Sequence, residues 1–343
     1  MPTISHVRGA LLEEVLLHFL RGSGYRIVND HRADPTLCRG VAGLEVFGRG
    51  CKHQIDAIAD FQVPHPFSHP QRLLVEAKCY AQNKKIGVEV VRNAVGVLKD
   101  VSEFWVTNER TGIPKNRYHY QYALFSATPY TSGAQRYAFA QDVYLIPVAD
   151  SAFLTSVIHA IRSILPNDFS GSPSNLRVRL STLRNLVRNA FIQPHFEFPR
   201  TYRLSLRTKI EVLLNEARRI NFALLAMLGG SFPVFLVPHT PNVLPNLPSV
   251  INVRIFWDER GWYLESPDGT RLFSFDLPKA LFDLYAATGI LTRESAIGLK
   301  EDMMKNFYAF LTMQGDVRVI RFQLDADWLA QIRSRRTIRR IST

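Results

Sequence analysis

A stretch of strand-forming residues, RLLVEAKCYA at positions 72–81, carries two ionisable side chains inside an apolar run. Glu76 and Lys78 lie two positions apart, so in a β-strand both side chains emerge on the same face. Their neighbours are apolar or small: Leu74, Val75, Ala77 and Cys79. Charged groups in such surroundings require partners. We therefore expect a largely buried strand whose two charged side chains meet specific polar groups.

The segments around this strand predict a compact α/β domain that ends near Ala149. An amphipathic helix in GALLEEVLLHFLRG comes first, and KHQIDAIADF alternates as a strand does. After RLLVEAKCY, the helix GVEVVRNAVGVLKDVSEF follows, and the strands YQYALFSAT and VYLIPVA flank a short helix. This order of elements is typical of an α/β domain.

The remaining chain divides into two further segments, so the expected domains are 1–150, 151–229 and 230–343. The middle segment predicts two amphipathic helices, NLRVRLSTLRNLVRNAF and SLRTKIEVLLNEARRINFALLAML. The last segment predicts an α+β domain with a hairpin, INVRIFWDERGWYLES, that turns at Asp258 to Gly261. After the strand TRLFSF, two helices are predicted before the strand DVRVIRFQL and a final helix. Its aromatic residues Trp257, Trp262 and Tyr263 are expected to pack in the core of that domain.

The net charge of +12 is concentrated in the middle segment, which contains 11 lysines and arginines but only 4 aspartates and glutamates. Such a basic block favours a polyanionic partner, because neutralised phosphates release condensed counterions. Arg177, Arg184 and Arg188 share one side of the first predicted helix and are candidate DNA contacts. The alternative is an exposed helix surface with no partner.

No apolar run reaches the length of a bilayer span, and the N-terminus lacks the features of a signal peptide. The three cysteines are odd in number and lack close ligand spacing, which is typical of reduced thiols in a cytoplasmic protein. We expect a cytoplasmic location and no membrane partner. His53, His65 and His69 do not have the defined spacing of a zinc site.

Asp56 lies on the preceding predicted strand, twenty positions before Glu76. If the two strands pair as a hairpin, Asp56, Glu76 and Lys78 converge at one end of the sheet. Neighbouring carboxylates repel unless a cation lies between them, and oxygen ligands favour Mg²⁺, with Mn²⁺ as the alternative. Lys78 would neutralise charge at a phosphorus centre or position and deprotonate a water. This chemistry is phosphodiester hydrolysis; the alternative is a local ion pair on a surface strand.

The spacing of Asp56 and the EAK of Glu76 to Lys78 resembles the PD-(D/E)xK nuclease superfamily. The surrounding segments resemble its Mrr-like branch over about residues 6–148. They occur in this order: Gly9 to Glu13 with Gly24 and Tyr25, GRGCKHQID, VEAK, GVEVVRNAVGVLKD and SGAQRYAFAQDVYLI.

The resemblance implies a restriction-endonuclease-like core, in which a central mixed sheet has the active site at its edge, and Mg²⁺-dependent cleavage of DNA. It also implies that Glu13 helps to hold the metal, with Glu14 as the competing candidate. Gln54, two positions before Asp56 and hence on the same face of the predicted strand, is expected to line the site. Many Mrr-like proteins carry glutamine where this chain has Glu76, and the anionic glutamate should bind metal better.

The function expected from these observations is a metal-dependent DNA endonuclease, in a bacterial or phage-related restriction or defence setting. The alternatives are a protein with a nuclease fold that binds nucleic acid or scaffolds a complex without cleavage, and a nuclease that acts on RNA. Expected partners are DNA and either a second copy of the chain or a protein bound through the C-terminal domain.

Overall fold

The computed structural model describes most of the chain. The described residues are 2–32, 34–40, 43–64, 66–80, 84–107, 110–112, 114–115, 117–148, 151, 154–172, 175–193, 196–220, 223–259, 261–286 and 292–341. His65, one of the three histidines named above, lies outside them. The chain folds into two compact units, Met1–Asn221 and Phe222–Thr343.

The first unit mixes helices and strands along its length. Its helices are α1 Ile4–Gly22, α2 Val88–Ser102, α3 Ser132–Ala140, α4 Thr155–Ser163, α5 Leu180–Ile192 and α6 Leu204–Ile220. Its strands are β1 Tyr25–Ile27, β2 Leu37–Arg39, β3 Leu44–Phe47, β4 Lys52–Gln54, β5 Ala57–Phe61, β6 Gln71–Lys78, β7 Val106–Thr107, β8 Pro114–Lys115, β9 His119–Ser126, β10 Val143–Pro147, β11 Gly171–Ser172 and β12 Asn175–Leu176.

A mixed five-stranded sheet forms the centre of this unit, in the order β1-β5-β6-β9-β10. The β1 and β5 strands pair antiparallel, as do β5 and β6, whereas β6, β9 and β10 run parallel. The long α2 helix makes the crossover that two adjacent parallel strands require. The expected α/β class and the expected hairpin pairing of β5 with β6 are confirmed.

Apolar residues on the strands and the crossover helices form the core on one side of the sheet. Ile58 of β5, Leu74 of β6 and Leu124 of β9 belong to the same buried cluster as Val91 and Val95 of α2. The α1 helix contacts β1, β5 and β6, and it packs in turn against α4 and α5. The α1 helix is therefore the element that joins the sheet to the basic helices of residues 151–221.

A buried arginine cluster lies at the start of β6. The Arg72 side chain is 1% exposed and pairs with both Asp60, at 2.7 Å, and Asp34, at 2.7 Å. The guanidinium lies over the ring of Tyr118, whose hydroxyl donates to Asp34 at 2.9 Å. Because Asp60 is the strand neighbour of Arg72, this ion pair favours the observed register of β5 against β6.

The second unit contains a closed seven-stranded barrel in the order β13-β14-β17-β16-β15-β19-β18. Phe273, Phe307 and Phe322 are fully buried inside it. The strands are β13 Leu224–Leu228, β14 Phe232–Pro238, β15 Val250–Asp258, β16 Gly261–Glu265, β17 Arg271–Phe275, β18 Asn306–Met313 and β19 Asp316–Leu324. The helices are α7 Lys279–Tyr285, α8 Arg293–Met303 and α9 Ala326–Ile341.

Three expectations about the later chain were wrong. The second helix of the middle segment ends at Ile220, and Leu224–Leu228 is strand β13, because its residues pair with β14 and β18 in the barrel. Residues 306–313, expected within a helical region, form β18. Trp257 is 70% exposed, whereas Trp262, across the hairpin, is buried as expected.

The division into units also differs from the three expected segments. Residues 151–221, most of the basic middle segment, belong to the first unit, where α5 packs on α1 and α6 packs on α4. Within the described residues, no helix combines the length and the apolar character that crossing a bilayer requires.

The contact between α1 and α5 includes a half-buried histidine. His18 stacks on Phe191 with ring centroids 4.1 Å apart, and its Nε2 has no hydrogen-bond partner. Burial, assisted by Arg21 and Arg218, lowers the pKa of His18 from 6.5 to about 4. The folded protein therefore keeps this ring neutral at pH values where an unfolded chain protonates it.

We predict that acid destabilises the protein through this residue. Between pH 6.5 and about 4 the unfolded chain gains a proton at His18 that the folded chain does not, so the free energy of unfolding falls as pH falls, by about 2 to 3 kcal/mol. His18→Phe should remove this part of the loss, measured by urea unfolding at several pH values. The exposed control His159→Gln should leave it unchanged, and an identical pH dependence in His18→Phe would contradict the assignment.

Candidate active site

Asp56 and Glu76 come together because of the register between β5 and β6. Ala57 pairs with Val75, so the residue before β5, Asp56, lies opposite Glu76 near the end of β6. The Asp56 carboxylate accepts a hydrogen bond of 2.9 Å from the backbone N–H of Ala77. This bond fixes the carboxylate between the two charged residues of β6.

Glu76 is held through both of its carboxylate oxygens. One oxygen pairs with the ammonium group of Lys78, two residues along the same strand face. The other accepts a hydrogen bond of 2.5 Å from the hydroxyl of Tyr122 on β9. The Glu76 side chain is 14% exposed, so Lys78 and Tyr122 replace most of the hydrogen bonds to water that its carboxylate loses on burial.

Lys78 is cationic in this arrangement. Burial works to lower its pKa, but the carboxylates of Glu76 and Asp56 outweigh burial and raise the pKa above the usual value. A protonated amine cannot serve as a base. Lys78 is therefore suited to neutralising developing negative charge.

Glu13 brings a third carboxylate to the same place from α1. Its side chain is 8% exposed and pairs with Arg184 of α5. Burial raises the pKa of Glu13 to about 8, and the nearby Asp56 carboxylate acts in the same direction, against the effect of Arg184. Burial also raises the pKa of Asp56, and Glu76 adds to the rise. Glu13 and Asp56 are thus close enough to repel each other, as are Asp56 and Glu76.

Glu14, the competing candidate, has a different environment. It is 2% exposed and accepts two hydrogen bonds from the guanidinium of Arg188, at 2.6 and 2.9 Å. Arg188 also donates to Asn29 at 3.2 Å. Glu13, by contrast, has Asp56 among its electrostatic neighbours.

A cavity of about 1090 Å³ opens beside Asp56. Its walls come from α1, from residues 27–32, 39–40, 43–44 and 55–58, and from the first part of α5. Arginines outnumber acids among the charged residues that line it. The arginines are Arg32, Arg39, Arg179, Arg184 and Arg188, and the acids are Asp30 and Asp56. Arg39 and Arg179 are exposed, so this basic groove offers cations to an anion that enters it.

The structure does not bring every expected residue to this site. Gln54 is exposed at the end of β4, which pairs with β3 in a separate three-stranded sheet. The expectation that it shares a strand face with Asp56 was wrong, because the strand breaks between them. Arg177 lies in the loop before α5 and is exposed, so it does not share a helix face with Arg184 and Arg188.

Arg184 and Arg188 also differ from the exposed DNA-contact face that the sequence suggested. Each side chain is 24% exposed and compensates a buried glutamate of α1. Arg184 pairs with Glu13 and Arg188 with Glu14, so both arginines belong to the contact between α5 and α1. Tyr122 of β9, whose hydroxyl binds Glu76, was also missed.

The carboxylates of Glu13, Asp56 and Glu76 fit a hard divalent cation. All three donors are carboxylate oxygens, with no thiolate or imidazole in the set. Burial is the main cause of the raised pKa values of Glu13 and Asp56, and each also has a neighbouring carboxylate whose repulsion a cation would relieve. A carboxylate oxygen has more than one lone pair, so the Tyr122 hydrogen bond leaves Glu76 able to act as a ligand. Arg184 and Lys78 partly supply the positive charge that such an ion would provide.

Comparisons with known proteins add little. No protein-family model matches the sequence, and no curated protein matches it. A solved crystal structure of a protein described as of unknown function, AF1548, matches with a TM-score of 0.34 and 18% identity over 62% of this chain and 97% of that chain. At that TM-score the likeness carries no argument about fold or function.

We predict that Arg184→Ala makes stability dependent on divalent metal. Without Arg184, the buried Glu13 and the half-buried Asp56 lose a cation, which should cost about 3 kcal/mol in the free energy of unfolding. Millimolar Mg²⁺ should recover part of this loss in urea unfolding, because a bound ion replaces the missing charge.

The matched control is Arg188→Ala, which removes the partner of Glu14, outside the proposed ligand set. It should also destabilise the protein, but Mg²⁺ should not recover the loss. Equal recovery in both variants, or in neither, would contradict a cation site at Glu13, Asp56 and Glu76.

Proposed function

We propose that this chain is a metal-dependent nuclease with a restriction-endonuclease-like core of the PD-(D/E)xK type, which hydrolyses DNA phosphodiester bonds. The observation that carries the proposal is the hydrogen bond from Ala77 N–H to the Asp56 carboxylate. It joins Asp56 to the centre of the Glu76, Ala77, Lys78 sequence, so the separate parts of the motif lie together. The mixed sheet, with β5 and β6 antiparallel and β6, β9 and β10 parallel, also supports it.

The proposed metal is Mg²⁺, with Mn²⁺ as a substitute, held by Asp56, Glu76 and Glu13. Such an ion, when bound, offsets phosphate charge and lowers the pKa of water. The chain's own residues then have separate tasks. Ala77 N–H orients Asp56, Tyr122 orients Glu76, and cationic Lys78 stabilises the negative charge that develops on the phosphate in the transition state.

The basic groove supports a polyanionic substrate. It opens beside Asp56, so a backbone bound along Arg39 and Arg179 runs toward the proposed catalytic residues. Phosphate contacts of this kind are shared by DNA and RNA. DNA is the proposed substrate because the Mrr-like resemblance implies it, and RNA is the competing one.

A second candidate function is nucleic-acid binding without cleavage. The pairing of Glu13 with Arg184 and of Glu76 with Lys78 favours it, because these ion pairs satisfy the would-be ligands without a metal. A metal must compete with both cations. An activity assay therefore separates the two candidates more directly than a binding assay does.

The first test measures plasmid cleavage by the full chain with Mg²⁺. Wild-type protein should cleave DNA, and Asp56→Asn and Lys78→Ala should each lower the rate by roughly 100-fold or more while remaining folded. Glu211→Gln, an exposed glutamate on α6, should retain the wild-type rate. Cleavage that persists in both site variants would sink the proposed site, and binding without cleavage by the wild type would favour the second candidate.

The second test concerns the groove and uses a short DNA duplex without metal. Replacing Arg39 and Arg179 together by alanine should weaken binding and reduce the slope of log affinity against log salt by about two, one for each lost phosphate contact. Arg136→Ala, an exposed arginine on α3, is the control and should change neither. An unchanged salt slope in the double variant would exclude the groove as the phosphate track.

The remaining expectations stay predictions. They are a recognition or partner-binding role for the second unit, a homodimer, and a setting in restriction or antiphage defence.

A further inference from the structure

A separate group of metal-binding residue types lies away from the three carboxylates, in the β3–β4 hairpin and on α2. Cys51 and His53 flank Lys52 at the start of β4, and Asp100 lies near the end of α2. The thiol, the imidazole and the carboxylate each have a ligand atom within 4.8 Å of the other two. Among the described residues this is the group that meets that criterion.

The three side chains converge on one point. Asp100 Oδ2 lies 2.6 Å from His53 Nε2, and Cys51 Sγ lies 3.5 Å from the same nitrogen and 3.9 Å from Asp100 Oδ2. A catalytic relay of thiol, imidazole and carboxylate uses opposite ring nitrogens. Here the sulfur and the oxygen both meet Nε2, which is the arrangement of ligands around a common centre.

The spacings are close to those of a tetrahedral zinc ion. With bonds of about 2.3 Å to sulfur and about 2.0 to 2.1 Å to nitrogen and oxygen, tetrahedral angles separate sulfur from either lighter atom by about 3.6 Å. The same angles separate nitrogen from oxygen by about 3.3 Å. The two sulfur distances already match within a few tenths of an ångström. The imidazole and carboxylate, now hydrogen-bonded, need to separate by less than 1 Å.

The backbone holds one ligand in place. Asp100 accepts hydrogen bonds from the N–H of Gly50, at 2.7 Å, and of Cys51, at 3.3 Å. Gly48 allows this close approach, because a Cβ there would lie 2.8 Å from the carbonyl oxygen of Cys51 and would also meet the Asp100 carboxylate. Such contacts from outside the ligand set orient a carboxylate for metal binding.

We infer that Cys51, His53 and Asp100 form a binding site for Zn²⁺, independent of the proposed nuclease centre. A mixed set of thiolate, imidazole and carboxylate selects zinc rather than Mg²⁺. Cys51 is exposed, so the fourth position is open to water or to an external ligand. Because Asp100 belongs to α2 and the other two ligands to the β3–β4 hairpin, the bound ion cross-links the hairpin and the helix.

The test titrates reduced, chelator-treated full-length protein with Co²⁺, a spectroscopic substitute for zinc, in the presence of saturating Mg²⁺. We expect one equivalent to bind with a thiolate-to-cobalt charge-transfer band, and Zn²⁺ to displace it. Cys51→Ser should abolish the band, and Asp100→Asn should weaken affinity at least tenfold. Cys38→Ser, which changes a thiol on β2, should leave both unchanged.

Thermal unfolding gives a second measurement. Zn²⁺ should raise the melting temperature of the wild type and of Cys38→Ser but not of Cys51→Ser, because binding to the folded state stabilises it by mass action. Absence of stoichiometric binding by the wild type, a cobalt complex without a thiolate band, or wild-type affinity in Cys51→Ser would overturn the inference. None of these outcomes depends on nuclease activity.

Discussion

The first unit depends on the burial of carboxylates where α1 meets the ends of β5 and β6. Burial and the Asp56 carboxylate raise the pKa of Glu13, and burial and the Glu76 carboxylate raise the pKa of Asp56. Arg184 of α5 and Lys78 of β6 reduce the repulsion between these carboxylates, because they form ion pairs with Glu13 and Glu76. The basic helix α5 is thus part of the electrostatic balance of the site as well as a wall of the groove. A divalent cation would complete that balance.

Strand β6 connects this site to the stability of the sheet. At one end Arg72 is enclosed by Asp60, Asp34 and Tyr118, and at the other Glu76 and Lys78 meet Asp56. Arg72, Glu76 and Lys78 share one face of β6, so a register slip between β5 and β6 would break both clusters together. Leu74 on the same strand adds rigidity, because it belongs to the buried apolar cluster that includes Val91 and Val95 of α2. Such support is what a pre-organised site requires.

The sequence predicted the parts of this arrangement that depend on strand periodicity. Residues two apart share a face, so Glu76 and Lys78 were predicted to lie together. Asp56 was predicted to join them if β5 and β6 paired as a hairpin, which they do. The sequence did not predict the pairing of Arg184 with Glu13. That contact joins residues 171 positions apart on two helices, and helical periodicity does not show how two helices pack against each other. Gln54 was misplaced because a break in the strand is invisible to alternation. The segment at 224–228 was assigned to a helix because a short apolar run fits both a helix and a barrel strand.

The central claim is that the three carboxylates form a cation site, and anomalous diffraction from crystals grown with Mn²⁺ tests it most directly. The account predicts a manganese peak bonded to Asp56, with Glu13 and Glu76 turned toward it and the ion pairs to Arg184 and Lys78 loosened or broken. A structure at saturating Mn²⁺ with no peak beside Asp56, in which Glu13 remains paired with Arg184 and Glu76 with Lys78, would contradict it.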